Sequence, residues 1–308
     1  MNSYRFLQVD VFSDRPFGGN PLAVFPDAAG LTTPQMQQLA LEMNLSEITF
    51  VLPPTLPEAD FRVRIFTPAK EIPFAGHPVI GTHWVLAHLG YVELREPVTT
   101  VRFELGVGVL PADLHVVNGD VERVVMTQDR PRFGTALDDT SELAAALGLR
   151  SAAISGTLLP AQVVSTGLSQ LIVPVQSLTD VEKMNPTHLN VPALDALCRS
   201  IGAEETALVF SLETVNAAAD VHVRFFAPSY GILEDPATGS GNGALGAYLV
   251  KHHAVLVEEP TTHLISEQGL EIGRPSTLYL EIDSSKSEPT AVRVGGQVAP
   301  VIEGTARF

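Results

Sequence analysis

Two short stretches carry residue types that could act on a small anion. Ala75-Gly76-His77 and Thr238-Gly239-Ser240 each follow a proline-containing loop. Each opens an apolar run, HPVIGTHWVLAHL (His77–Leu89) and SGNGALGAYLV (Ser240–Val250). Both runs are apolar on nearly all faces, which predicts buried central helices. A helix start presents unpaired backbone N–H groups and the positive end of the helix dipole, and small residues let a ligand approach. Two such starts would suit a small carboxylate. Plain capping by Thr and Ser is the competing reading for either turn alone.

Other candidate chemistry is weaker. Gly241, Gly243 and Gly246 spell G-x-G-x-x-G, but they follow a Pro-Ala-Thr loop and fall inside a helix. A dinucleotide site needs strand, tight turn, then helix. No nicotinamide or flavin cofactor is expected. Cys198 is the lone thiol, so neither a disulfide nor a cysteine-based zinc site can form within the chain. His83 and His88 lie five apart on a helix, off any single face, and are expected to line the core. No HExxH or similar cluster exists, so no metal is expected. Asp235, before Pro236, reads by default as a turn or cap residue. Glu47, opening a strand, reads by default as a solvated edge residue.

The elements that must position these residues recur along the chain. RIFTP (Arg64–Pro68) and RFFAP (Arg224–Pro228) stand 160 residues apart. Upstream, LSEITFV (Leu45–Val51) matches AEETALV (Ala203–Val209), with Glu47 over Glu205. Downstream, AGHPVIGT (Ala75–Thr82) matches TGSGNGAL (Thr238–Leu245), with Gly76 over Gly239. Three matches in the same order point to a tandem duplication, with RPRFG (Arg130–Gly134) as the link between halves. A cleft between equivalent elements is then the place to expect a ligand. The expected division is 1–129 and 130–292, with a strand within 293–308 returning to the first half.

Strands are expected at Tyr4–Phe12, Leu22–Phe25, Ile48–Leu52, Phe61–Phe66 and Val98–Leu105. A hairpin is expected at Asn118-Gly119, a dipeptide that supplies the positive φ of a tight turn. Helices are expected at Gln35–Met43 after the capping Thr33-Pro34, at Ser141–Leu147 and at Val191–Ile201. The order is no regular βαβ alternation, so the fold class is α+β with antiparallel or mixed sheets.

Composition bounds the partners. The chain has 308 residues, 45% hydrophobic and 18% charged, with a formal net charge of −16. That acidity argues against nucleic acid and polyanionic membranes, which need clustered Lys and Arg. Asp10 interrupts any signal-peptide core, and no apolar run reaches the roughly 18 residues of a membrane span. A cytoplasmic protein is expected.

NLSEITFVL (Asn44–Leu52), RIFTPAKEIPFAGHPVIGT (Arg64–Thr82), EDPATGSGNG (Glu234–Gly243), QGLEIGRPS (Gln268–Ser276) and GGNPLAVF (Gly18–Phe25) resemble signature segments of the PhzF-like family. The resemblance covers nearly the whole chain. It implies the diaminopimelate-epimerase fold: two pseudo-twofold-related domains, each a mostly antiparallel sheet rolled around a central helix, with the active site between them. It also implies a homodimer. Diaminopimelate epimerases use two cysteines at the glycine turns, and neither turn has a thiol here.

The resemblance instead implies a cofactor-independent isomerase in which Glu47 moves a proton on a small carboxylate substrate. His77 and Asp235 are the other catalytic candidates, and Ser46, Gly76, Gly239 and Ser240 the substrate-binding ones. A carboxyl group can donate at one carbon and withdraw from another on the same face when burial penalises its charge. Leu45, Ile48 and Phe50 would provide that burial. The alternatives are a one-base epimerase or racemase, or an interaction protein that keeps the fold without catalysis.

Overall fold

The computed structural model describes residues 3–308, and two compact units divide the chain. One runs to Met126 and takes back Gly295–Phe308; the other is Thr127–Val294.

In the first unit Ser3–Val11 lies antiparallel to both Val298–Arg307 and Asn20–Phe25. Glu47–Leu52 then runs parallel to Asn20–Phe25, and Phe61–Phe66 antiparallel to Glu47–Leu52. Val98–Leu105 runs parallel to Phe61–Phe66, and Gly108–Val117 antiparallel to Val98–Leu105. Asn118 and Gly119 close the hairpin to Asp120–Thr127 with φ of 53° and 84°, the pair of positive angles a tight hairpin turn demands. The Gly76–His88 helix packs against strands on several sides of this sheet, and all its residues from His77 to Ala87 except Trp84 are buried. Its apolar surface all round is thereby explained.

The second unit repeats the same pairings in the same order. Ser169–Pro174 is antiparallel to Gln162–Ser165, and Ala207–Ser211 parallel to Ser169–Pro174. Val221–Ala227 is antiparallel to Ala207–Ser211, Thr261–Gln268 parallel to Val221–Ala227, and Ser276–Ser285 antiparallel to Thr261–Gln268. The Gly239–Lys251 helix is the buried counterpart of Gly76–His88. The fold class is α+β, with mixed, mostly antiparallel sheets.

Three local expectations need correction. The first-unit helix spans Thr33–Met43, and its cap is Thr32: its hydroxyl accepts from Gln35 N while Gln35 Oε1 accepts from Thr32 N. A capping box outweighs a hydroxyl one residue later. Arg130–Gly134 is no free link, because Arg132–Ala136 is a strand paired with Gln162–Ser165. The repeat is also shifted locally. Arg64 pairs with Phe50 and Arg224 with Val209, so strand register places Glu47 at the position of Thr206, one beyond Glu205.

Candidate active site

The expected site residues fall into two clusters, one in each unit. In the first, Asn44 ends the Thr33–Met43 helix in a left-handed conformation (φ 52°) and turns the chain into the Glu47–Leu52 strand. Ile48 and Phe50 are fully buried in the strand that Glu47 opens. The Glu47 side chain is 16% exposed, and its Oε2 is buried with no hydrogen-bond partner. Facing it at 3.5 Å is His77 Nε2, also buried and also without a hydrogen-bond partner. Burial pushes the His77 pKa down, and the Glu47 charge only partly opposes this. That shift favours the uncharged imidazole. Buried polar atoms almost always have partners, so two such atoms facing each other single this pair out as the candidate site.

Gly76 opens the helix beside this pair. Ala75 offers no side-chain cap, and a Cβ added at Gly76 would meet no described atom within 4 Å. No packing contact calls for glycine at this position. Ser46 donates to Asn20 Oδ1 at 3.4 Å.

In the second unit the short strand Ile232–Asp235 delivers Asp235 to the turn before the Gly239–Lys251 helix. Thr238 sits at the cap position but makes no capping bond; its hydroxyl donates to Asp235 Oδ2. Capping by side chains therefore accounts for neither helix start. Gln128 Nε2 holds Gly239 O at 2.9 Å, and Thr166 Oγ1 donates to Gln128 Oε1 at 2.6 Å. Gly243 is glycine for this reason, since a Cβ there would lie 1.9 Å from Gln128 Oε1. Ser240, the second helical residue, is half-buried.

Several polar residues nearby escaped the sequence reading. Arg224 grips Glu234, the neighbour of Asp235, with two bonds of 2.9 and 2.6 Å, both side chains being 2% exposed. His222 lies between Glu267 and Glu271, each at 2.8 Å. Gln268 bonds the Asp235–Thr238 turn. The repeated arginine was the available signal, because its partner in each half is a glutamate at the same repeat position.

The remaining candidates separate cleanly. Cys198 is buried, donates to Thr206 O at 3.6 Å, and is pushed up to about 11 by burial. Such a thiol is unreactive. His83 is a core residue stacked on Phe103 at 3.6 Å, and burial pushes its pKa down to about 4. His88 is corrected: it is exposed and stacks on Trp84 at 4.6 Å, because it shares with Trp84 the one face of the helix that is not buried. Among the described residues, no group of three or more His, Cys, Asp or Glu is placed to hold a metal ion. Among them too, no helix is long and apolar enough to cross a membrane.

A family model described as phenazine biosynthesis-like protein matches residues 9–304. The chain belongs to this PhzF family. It is 36% identical over 307 residues to the trans-2,3-dihydro-3-hydroxyanthranilate isomerase of Pseudomonas aeruginosa, covering 98% of this chain and 99% of that one. It superimposes on the PhzF-family phenazine biosynthesis protein of Bacillus anthracis with a TM-score of 0.85, at 30% identity and full coverage of both chains. A probable proline racemase from Agrobacterium radiobacter shares the fold alone, with a TM-score of 0.64 at 15% identity, over 99% of this chain and 92% of that one. With such relatives, this PhzF-family chain is an isomerase.

Proposed function

We propose that the enzyme moves a proton between two carbons of a small carboxylate-bearing ring, without a cofactor, and that Glu47 carries the proton. The observation that carries this reading is the buried Glu47 Oε2, without a hydrogen-bond partner and facing His77 Nε2 at 3.5 Å. As carboxylate, Glu47 takes a proton from one carbon, and the electron pair left behind delocalises into the adjoining unsaturated system. As carboxylic acid, it returns the proton to a second carbon on the same face and is regenerated as carboxylate. An uncharged His77 can accept a hydrogen bond from the acid form in one tautomer or donate one to the carboxylate in the other, steadying either state. The helix starts at Gly76 and at Gly239, neither closed by a side-chain cap, would each suit a substrate carboxylate. Asp235 suits a hydroxyl or amine donor, while Ser46 and Ser240 supply further polar contacts.

The Pseudomonas aeruginosa relative makes trans-2,3-dihydro-3-hydroxyanthranilate the first substrate to try. Turnover in deuterated water, followed by NMR, tests the reading with wild type and Glu47→Gln. The wild type should rearrange the double bonds, and Glu47→Gln should lose about 10²–10⁴-fold in rate. Solvent exchange at one carbon without rearrangement would indicate an epimerase instead. We also propose a homodimer, for which sedimentation should give twice the chain mass of 32.9 kDa.

A further inference from the structure

We propose that Thr238 and Gln268 are positioning residues. They hold Asp235 as a fixed hydrogen-bond acceptor for an amine or hydroxyl on the substrate. The assignment rests on the functional reading above, but it comes from the direction of a hydrogen-bond chain.

Each end of the Gln268 amide is identified by a partner with only one possible role. Thr238 N–H can only donate, and it lies 3.2 Å from Oε1. Asp235 C=O can only accept, and it lies 2.8 Å from Nε2. Asn242 Nδ2 is fixed as a donor by Thr238 O at 3.0 Å, and it donates to the same Gln268 Oε1 at 2.8 Å. The Gln268 Nε2 therefore donates to Thr238 Oγ1, 3.1 Å away. A hydroxyl that accepts from the amide turns its own proton to Asp235 Oδ2. The chain runs one way, from Gln268 through Thr238 to Asp235. A proton on that carboxylate oxygen would oppose the Thr238 hydroxyl proton, so Asp235 Oδ2 is held as an acceptor.

The first unit shows that the fold does not need this chain. Arg64 binds Glu71 as Arg224 binds Glu234, so the next residues, Ile72 and Asp235, correspond. Ala75 and Thr238 each precede the glycine that opens the central helix. Glu104 pairs with Arg62 as Glu267 pairs with His222, so Leu105 corresponds to Gln268. Ile72, Ala75 and Leu105 build the same strand, turn and helix start with no polar group. All three positions are polar only where an acceptor is presented.

Calorimetry with anthranilate, which brings a carboxylate and an amine, and benzoate, which brings only the carboxylate, tests the role. Thr238→Val should weaken anthranilate by about tenfold or more, the scale of a hydrogen bond to a charged group, and benzoate by less than about twofold. Thr238→Ser, which restores the hydroxyl, should recover anthranilate binding to within about threefold. On an Asp235→Asn background, Thr238→Val should add less than about twofold, because it acts only through the carboxylate. Gln268→Leu, which copies Leu105, gives the same ligand pattern and serves if Thr238→Val fails to fold. Equal losses for both ligands, no loss, or a full loss persisting on the Asp235→Asn background would overturn the proposal. So would a wild type that binds neither ligand or shows no preference for anthranilate. Near-normal turnover of Glu47→Gln would end the proton-transfer reading and leave this binding assay standing.

Discussion

The two halves use one frame at two depths. Arg64 holds Glu71 by bonds of 2.8 and 2.6 Å, and Arg224 holds Glu234 by bonds of 2.9 and 2.6 Å. Each guanidinium also lies 5.1 Å from the ring of the phenylalanine two residues on, Phe66 or Phe226. Glu104 catches the backbone N–H groups of Thr55 and Leu56, as Glu267 catches those of Val215 and Asn216. The geometry is shared, but the setting is not. Glu71 is 41% exposed where Glu234 is 2% exposed. The helix starts differ as well: the first half places His77 against Glu47, and the second has Ser240 and Thr206 at those positions. Duplication preserved the backbone frame, while burial and side-chain identity diverged, leaving a Glu47–His77 pair in one half and an Asp235–Thr238 pair in the other.

The proposed role of Glu47 has the largest expected consequence. Glu47→Gln should cost about 10²–10⁴-fold in kcat, or roughly 3–5 kcal/mol of transition-state stabilisation. Glu205→Gln, in the matching stretch of the second half, removes only an exposed bond to Arg199 and should keep kcat within about twofold. Steady-state kinetics on both variants decides this. A comparable loss in both would mean the halves share the chemistry.

The difference in depth comes next. Glu234→Ala leaves the Arg224 charge buried, with Val181 O and Met184 O as its remaining close bonds. Removing one partner of a buried pair typically costs about 3–5 kcal/mol. Chemical denaturation should show that loss for Glu234→Ala and much less for Glu71→Ala.

A third contrast depends on pH. Burial opposes charge on His222, but its hydrogen bonds to Glu267 and Glu271 outweigh this and push its pKa up to about 9. Its ordinary value is about 6.5. The folded form binds the proton more tightly, so the stability His222 contributes is full below about pH 6.5 and is lost as pH rises through about 9. Arg62 occupies the equivalent position in the first half, so that half has no imidazole there. Thermal melting from pH 6 to 9.5 should therefore show a falling midpoint, and His222→Gln should flatten that fall. An unchanged slope in the variant would remove His222 as its source.

Much of this frame was legible because it is written in local patterns. Ser141–Leu147 and Val191–Ile201 were readable as helices, and they are helices over those residues. Asn118-Gly119 marks its own turn. The repeat was legible from Arg64 and Arg224, although a few matching letters could not set strand register, and Glu47 slipped by one position. The charge network was not legible, since Arg224, Glu234 and His222 look like ordinary surface residues until the tertiary fold buries them. Gln268 reaches Thr238 across 30 residues, a separation that leaves no local spacing to read. Glu47 drew attention only through the family resemblance, because a glutamate opening a strand carries no pattern of its own.

The smallest effect tests whether burial is what separates the halves. Hydrogen bonding to Glu71 holds the Arg64 pKa above its usual range, and the same contact holds Glu71 below the usual carboxylate range. Both shifts favour the ion pair. Water still reaches the Glu71 side, at 41% exposure, and screens the attraction. Thr33 Oγ1 also accepts from Arg64 Nη2 at 3.0 Å, so the arginine keeps a partner when Glu71 is removed. A double-mutant cycle of Arg64→Ala and Glu71→Ala should give a coupling of about 0.2–1 kcal/mol in denaturation, the ordinary range for exposed pairs. The coupling should shrink further as salt rises to about 1 M, where the screening length is near 3 Å. A coupling as large as that of Arg224 and Glu234, and insensitive to salt, would show that the bidentate geometry governs the strength of both pairs and that depth does not.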